Sequence, residues 1–160
     1  MKKNEKYDQV HGYRVCLIRD KEIAFSGKPI SSSPAAAELI LNTINAMGQS
    51  DRENFVIIML TAKNHITGTN IVSQGTVTQA SLSMREVFKP AIIANATGLV
   101  LGHNHPSGDC HPSEDDISLT RSLAKVGKLL NITVFDHVIV NDLGGYYSFG
   151  DNDLMSDNEE

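Results

Sequence analysis

Residues 98–116 read GLVLGHNHPSGDCHPSEDD, and the reading of this stretch decides the fold. Its opening, Gly98 to Gly102, is apolar without alternation, the pattern of a short strand buried on both faces. The next fourteen residues hold three histidines, one cysteine, four acidic side chains and two prolines. Pro106, Gly108 and Pro112 force an irregular loop. The chain turns helical near Ser113, and Leu119, Leu123, Val126 and Leu130 form the predicted core stripe of that helix.

His103 and His105 stand at i and i+2 where the strand ends, so both imidazoles point to one side and can share an ion. The loop returns the carboxylates of the first helical turn toward them. Asp115 and Asp116 fall on opposite flanks of the helix stripe, so periodicity leaves the choice between them open. Two histidines and one carboxylate leave a fourth position free, the arrangement of a catalytic zinc site rather than a closed structural one. Each piece also has an ordinary reading. HxH strings occur by chance, Ser113-x-x-Asp116 is a helix-capping spacing, and Pro-Ser-Gly-Asp is common turn composition. Their combination between a buried strand and an amphipathic helix favours the metal.

The rest of the chain reads as scaffold. Its 160 residues, 41% hydrophobic and 21% charged, suit one soluble domain with its own core. The formal charge of −5 argues against a broad phosphate-binding surface, although six of the fourteen basic residues lie within the first 22 positions. Cys16 and Cys110 form no CxxC pair, which points to a reducing compartment. The basic start lacks a following apolar run, and FVIIML at 55–60 is far too short to cross a bilayer. A cytoplasmic protein is expected.

Residues 1–30 read as an N-terminal extension, in which 13–26 has the mixed pattern of an edge strand or hairpin. A helix follows, with Ser33 as N-cap, Pro34 at the first helical position, Gly48 at its end, and Ala36, Ile40, Ile44 and Met47 as its stripe. FVIIML is a fully buried strand, and 65–76 is its antiparallel neighbour across a turn at Lys63-Asn64. Ser83-x-x-Glu86 predicts a capping box on a second helix that buries Val87, Ala91 and Ile92. After the third helix come a strand at 132–140 and a last hairpin, and 151–160 is an acidic tail expected to be disordered. The core domain is thus 31–150, a single α/β unit with a mixed sheet.

His103-x-His105-Pro106 followed by Ser113-x-x-Asp116 resembles the motif of the JAMM (MPN+) zinc metallohydrolases. With SMREVFKPAI before it and DHVIV after it, the chain is similar to the bacterial RadC-type branch over roughly 50–150. The resemblance implies a JAB/MPN fold, a cytidine-deaminase-like sandwich in which helices flank a mixed sheet. It implies zinc held by His103, His105 and Asp116, with Ser113 supporting the tetrahedral intermediate. It further implies a general-base glutamate at the start of a buried strand, and Glu53 stands at that place. Read without the resemblance, Glu53 is a solvated loop carboxylate; Glu86 competes for the role but its spacing is that of a cap. Two departures stand out. Cys110 occupies a position where RadC-type chains usually carry proline, with His111 after it. The glycine-rich helix-hairpin-helix pattern that precedes the RadC domain in full-length members is missing from the first fifty residues, which weakens the family's link to DNA repair here.

The implied activity is hydrolysis of an amide, with a peptide or isopeptide substrate. A nucleobase deaminase would need HxE and a PCxxC pair, and neither is present. The alternative is a DNA-repair-associated module with metal-supported binding or a nucleic-acid-directed role, a reading that the acidic composition makes less persuasive.

Overall fold

A computed structural model describes residues 11–26, 29–75 and 82–155. Residues 1–10 and 27–28 of the extension, Thr76 of the second strand's expected span, and 156–160 of the acidic tail lie outside the described residues.

The elements run α1 (Ser33–Met47), β1 (Asn54–Leu60), β2 (Ile66–Gln74), α2 (Met84–Ile93), β3 (Gly98–Asn104), α3 (Glu114–Leu130), β4 (Thr133–Val140) and β5 (Tyr146–Ser148). The sheet order is β2-β1-β3-β4-β5. β1 pairs antiparallel with both β2 and β3, β3 runs parallel to β4, and β5 returns antiparallel on β4. This is the mixed-sheet α/β fold with flanking helices that the sequence implies.

Every residue of β1 and β3 is buried, as expected of strands covered on both faces. Period-2 geometry then sorts their side chains between two cores. Phe55, Ile57, Met59, Leu99 and Leu101 pack toward α2 and α3 with Val87, Phe88, Leu119 and Leu123. Val56, Ile58, Leu60 and Val100 pack toward α1 with Ala36, Leu39, Ile40 and Ile44. A β-carbon on Gly102 would lie 2.3 Å from Ile40 Cδ1, so only glycine lets α1 seat this closely against β3, one residue before His103.

Several local expectations are corrected. Residues 13–26, all described, form no strand. Their second half runs along α1 instead, where Lys21 Nζ donates to Ala46 O, Asn42 Nδ2 donates to Ala24 O, and Ile23 and Phe25 lean on the α1-side core. Tyr13 and Ile18 remain 88% and 86% exposed, so only the end of the stretch, at Ile23 and Phe25, is covered. The N-cap of α1 is Ser32 rather than Ser33, which puts Pro34 second in the helix. The Ser33 hydroxyl donates to Asp151 instead. That contact meets a turn at 149–153, which runs into the first residues of the expected acidic tail.

The capping box of α2 does not form, because the Glu86 carboxylate pairs with Lys89 at 2.8 Å and Ser83 makes no side-chain cap. On the same helix Ile92 is 53% exposed, and Phe88 and Pro90 are buried beside Val87 and Ala91. In α3 the stripe ends early. Leu119 and Leu123 are fully buried and Val126 half-buried, while Leu130 is 41% exposed.

Candidate metal centre

The C-terminal end of β3 carries the site. Phe55 pairs with His103 across β1–β3, and Leu101 pairs with His137 across β3–β4, so His103 and His137 share the face that looks toward α3. His105 follows the strand and is held to the sheet by its N–H donating to Val140 O. Beyond it, Gly108 N donates to His105 O and Gly108 adopts φ 87°, a left-handed turn for which glycine is the natural residue. Asn141 Nδ2 donates to Gly108 O and pins this loop to the β4–β5 turn.

α3 supplies the carboxylate through its cap. Ser113 Oγ accepts from Asp116 N, while Ser113 N and Ser113 Oγ both donate to Asp116 Oδ2, at 2.8 and 2.6 Å. The capping reading of Ser113-x-x-Asp116 is therefore correct, and the same hydrogen bonds aim Asp116 at the histidines. His103 Nε2 lies 3.2 Å from Asp116 Oδ1, His105 Nε2 lies 3.6 Å from Asp116 Oδ2, and the two Nε2 atoms are 2.9 Å apart. Among the described residues, these three form a group that could hold a metal ion. Asp116 is buried and Asp115 exposed, so the burial of the helix's first turn separates the two carboxylates that periodicity left open. Cys110 and His111 stand outside the group; His111 is hydrogen-bonded to Asp109 on the surface.

The electrostatics fit a cation. Burial works against ionising Asp116, but hydrogen bonds from His103 and then His105 overcome it and hold the carboxyl well below the usual carboxylate range. The hydrogen bond with Asp116 raises His105 above the ordinary imidazole value against the opposing effect of burial, and the Glu53 carboxylate adds a smaller push in the same direction. Two imidazole nitrogens and an anionic oxygen thus crowd one point, a donor set of the hard–borderline kind that zinc takes.

Glu53 sits one residue before β1, half-buried, and lines a cleft with Asp51, Arg52, Gly75 and Pro106. Two residues before Phe55, it keeps the parity of the face that bears His103. The turn that carries it is clamped to β3: Asn104 Oδ1 accepts from Asn54 N and Asn54 Nδ2, and Asn104 Nδ2 donates to Arg52 O. Glu86 is on the exposed side of α2 in its pair with Lys89.

Sequence reasoning gave no role to Asn54, Asn104, Thr120 or His137. His137 is fully buried between Phe55 and Phe149, with its Nε2 2.8 Å from His103 Nδ1 and its Nδ1 2.6 Å from Thr120 Oγ1. Burial first, then the neighbouring His103, holds it well below the ordinary imidazole range. The available signal was a titratable side chain at an inward position of a buried strand.

A family model, RadC-like JAB domain, matches residues 30–154. This chain belongs to the RadC-like JAB domain family. Among curated relatives, a UPF0758 protein of Rubrobacter xylanophilus is 40% identical over 129 residues, which cover 81% of this chain and 55% of that protein. A UPF0758 protein of Symbiobacterium thermophilum is 44% identical over 104 residues, 65% of this chain and 44% of that one. The chain therefore spans about half the length of the curated relatives it matches. Within the RadC-like JAB domain, the candidate centre lies at the junction of β3, its following loop and α3. No helix among the described residues is long and apolar enough to cross a membrane.

Proposed function

We propose that this RadC-like JAB domain is a zinc-dependent hydrolase of the JAMM type that cleaves a peptide or isopeptide bond in a reducing cytoplasm. The observation that carries the reading is the convergence of His103 Nε2, His105 Nε2 and an Asp116 oxygen from a strand end, a loop and a helix start. Free Cys16 and Cys110 accord with the compartment.

In this reading His103, His105 and Asp116 hold the ion. Bound there, zinc supplies Lewis-acid chemistry that makes water a nucleophile at neutral pH and polarises a carbonyl. Glu53, at the mouth of the same face, accepts the proton that the attacking water loses and returns it to the leaving amine. Ser113 donates a hydrogen bond from its hydroxyl to the developing oxyanion of the substrate and keeps its proton. Asp116 tolerates this turn of the hydroxyl, because Ser113 N–H still donates to Asp116 Oδ2 at 2.8 Å. The cleft walled by Asp51, Arg52, Glu53, Gly75 and Pro106 is assigned to the substrate chain.

The test combines elemental analysis of the purified protein with a panel of peptide, isopeptide-linked and DNA substrates. The expected result is one zinc per chain and cleavage of an amide substrate that stops on chelation. Metal-free protein purified without chelators would overturn the assignment of the centre. Turnover of DNA alone would replace the amide reading with the nucleic-acid-directed alternative.

A further inference from the structure

We infer that Thr120 and His137 are positioning residues that fix which ring nitrogen of His103 keeps its proton, and so which one faces the ion. The inference rests on the metal-centre reading above and concerns residues outside the ligand set.

The argument counts protons along a chain of short contacts. It begins at a backbone carbonyl, which has no proton to give. Thr120 Oγ1 lies 2.6 Å from Asp116 O, so the one hydroxyl proton of Thr120 lies in that contact. Thr120 Oγ1 can then only accept from His137 Nδ1, 2.6 Å away, which places a proton on His137 Nδ1. His137 is completely buried, and its side-chain hydrogen-bond partners are Thr120 and His103, neither of them a carboxylate. A second proton would leave an uncompensated charge in the core, so His137 Nε2 is bare. The 2.8 Å contact from His137 Nε2 to His103 Nδ1 is therefore made by a proton on His103 Nδ1. Nε2 of His103, 3.2 Å from Asp116 Oδ1 and 2.9 Å from His105 Nε2, is left bare in the neutral ring; it donates to Asp116 only when the ring takes a second proton, and the ion takes the place of that proton.

His105 reaches the same state by a shorter route. Its Nδ1 lies 2.6 Å from Asp109 O, another carbonyl, so Nδ1 carries the proton and Nε2 faces the centre. Two backbone carbonyls thus set both histidines, one directly and one through Thr120 and His137. The relay also starts at the carbonyl of Asp116, so the residue that offers a ligand oxygen also anchors the tautomer of a neighbouring ligand. Outer partners of this kind commonly contribute on the order of 10–100-fold to metal affinity.

The experiment reads tautomers first. Nitrogen-15 ring spectra of the metal-free parent, taken at a pH where the histidines are neutral, should place the proton of His103 on Nδ1 and that of His137 on Nδ1. Zinc affinity is then measured by chelator competition for the parent, Thr120→Val and Thr120→Ser. Valine keeps the volume but removes the acceptor, so His137 is free to carry its proton on Nε2 and force His103 into the opposite tautomer. Folded Thr120→Val, checked by circular dichroism, should bind Zn2+ about 10–100-fold more weakly. Thr120→Ser, which keeps the hydroxyl, should restore the parent affinity. A neutral parent His103 protonated on Nε2 overturns the relay without recourse to any variant, as does a folded Thr120→Val with parental zinc affinity. A parent that has the expected tautomers yet takes up no Zn2+ supports the relay and overturns the metal reading of the site.

Discussion

Asn104, the residue between the two candidate histidines, accepts the backbone N–H of Asn54 at 2.7 Å and so ties the turn bearing Glu53 to the strand bearing His103. Asn104→Ala would leave that buried N–H without a partner, whereas Asn54 Nδ2 keeps Gln49 O and Arg52 O as acceptors. One orphaned donor should lower unfolding free energy by about 1–3 kcal/mol. Zinc should still bind, because the ligand atoms belong to β3, its loop and α3. Turnover should fall as Glu53 shifts, since a displacement of about 1 Å can cost on the order of 10²-fold. Denaturant unfolding, zinc titration and hydrolysis on the same preparation check this, and unchanged turnover would detach the clamp from catalysis.

The two adjacent carboxylates should part company on substitution. Asp116→Ala removes a candidate ligand oxygen and one half of the α3 capping box, so zinc content should drop and the helix should lose about 0.5–2 kcal/mol. Asp115→Ala alters an exposed side chain and should leave zinc content unchanged. Elemental analysis of both variants decides, and zinc loss confined to Asp115→Ala would mean that the wrong carboxylate has been assigned.

Glu53→Gln keeps size and shape but removes the base. The variant should retain zinc and parental thermal stability while turnover drops roughly 10²–10⁴-fold. Ser113→Ala should also retain zinc, lose activity, and melt lower through the cap by about 1 kcal/mol. Full activity in Glu53→Gln on a substrate that the parent cleaves would remove Glu53 from the mechanism.

Metal-free and zinc-loaded protein should respond oppositely to pH. In the metal-free state the hydrogen bond with Asp116 raises His105 above its ordinary value of about 6.5, so its contribution to stability is full below that pH. The contribution is lost as pH rises through the raised value. Asp116 is lowered because the histidine hydrogen bonds outweigh its burial, so its contribution is present above about pH 4 and is lost on acidification. The metal-free pair is therefore most stabilising between about pH 4 and 6.5. Zinc requires the deprotonated imidazoles, so the extra stability it confers should grow as pH rises past that window. Melting curves across pH, with chelator and with zinc, test this; parallel profiles would contradict it.

β1 and β3 were legible because their apolar runs are continuous and short, and β4 because its apolar pattern persists around Asp136 and His137. The capping spacing of α3 was legible as well, since both of its partners lie within four residues. The same spacing misled at Ser83, where Lys89 competes successfully for Glu86. The mixed apolar–polar pattern of residues 13–26 misled as well, because Ile23 and Phe25 lean on the α1-side core without pairing into the sheet.

By itself the sequence determined the candidate ligand types, the shared direction of His103 and His105, and the helix that follows them, because each depends on covalent spacing and local backbone geometry. It left Asp115 and Asp116 equivalent on the helix wheel, and only the packing of α3 against the sheet buried one and exposed the other. His137 lies 34 positions from His103, and Asn54 lies 50 from Asn104. Their contacts exist because β3 pairs parallel with β4 and antiparallel with β1 in one register. Strand register is set by the fit of whole cores across the sheet, which no local window of sequence contains.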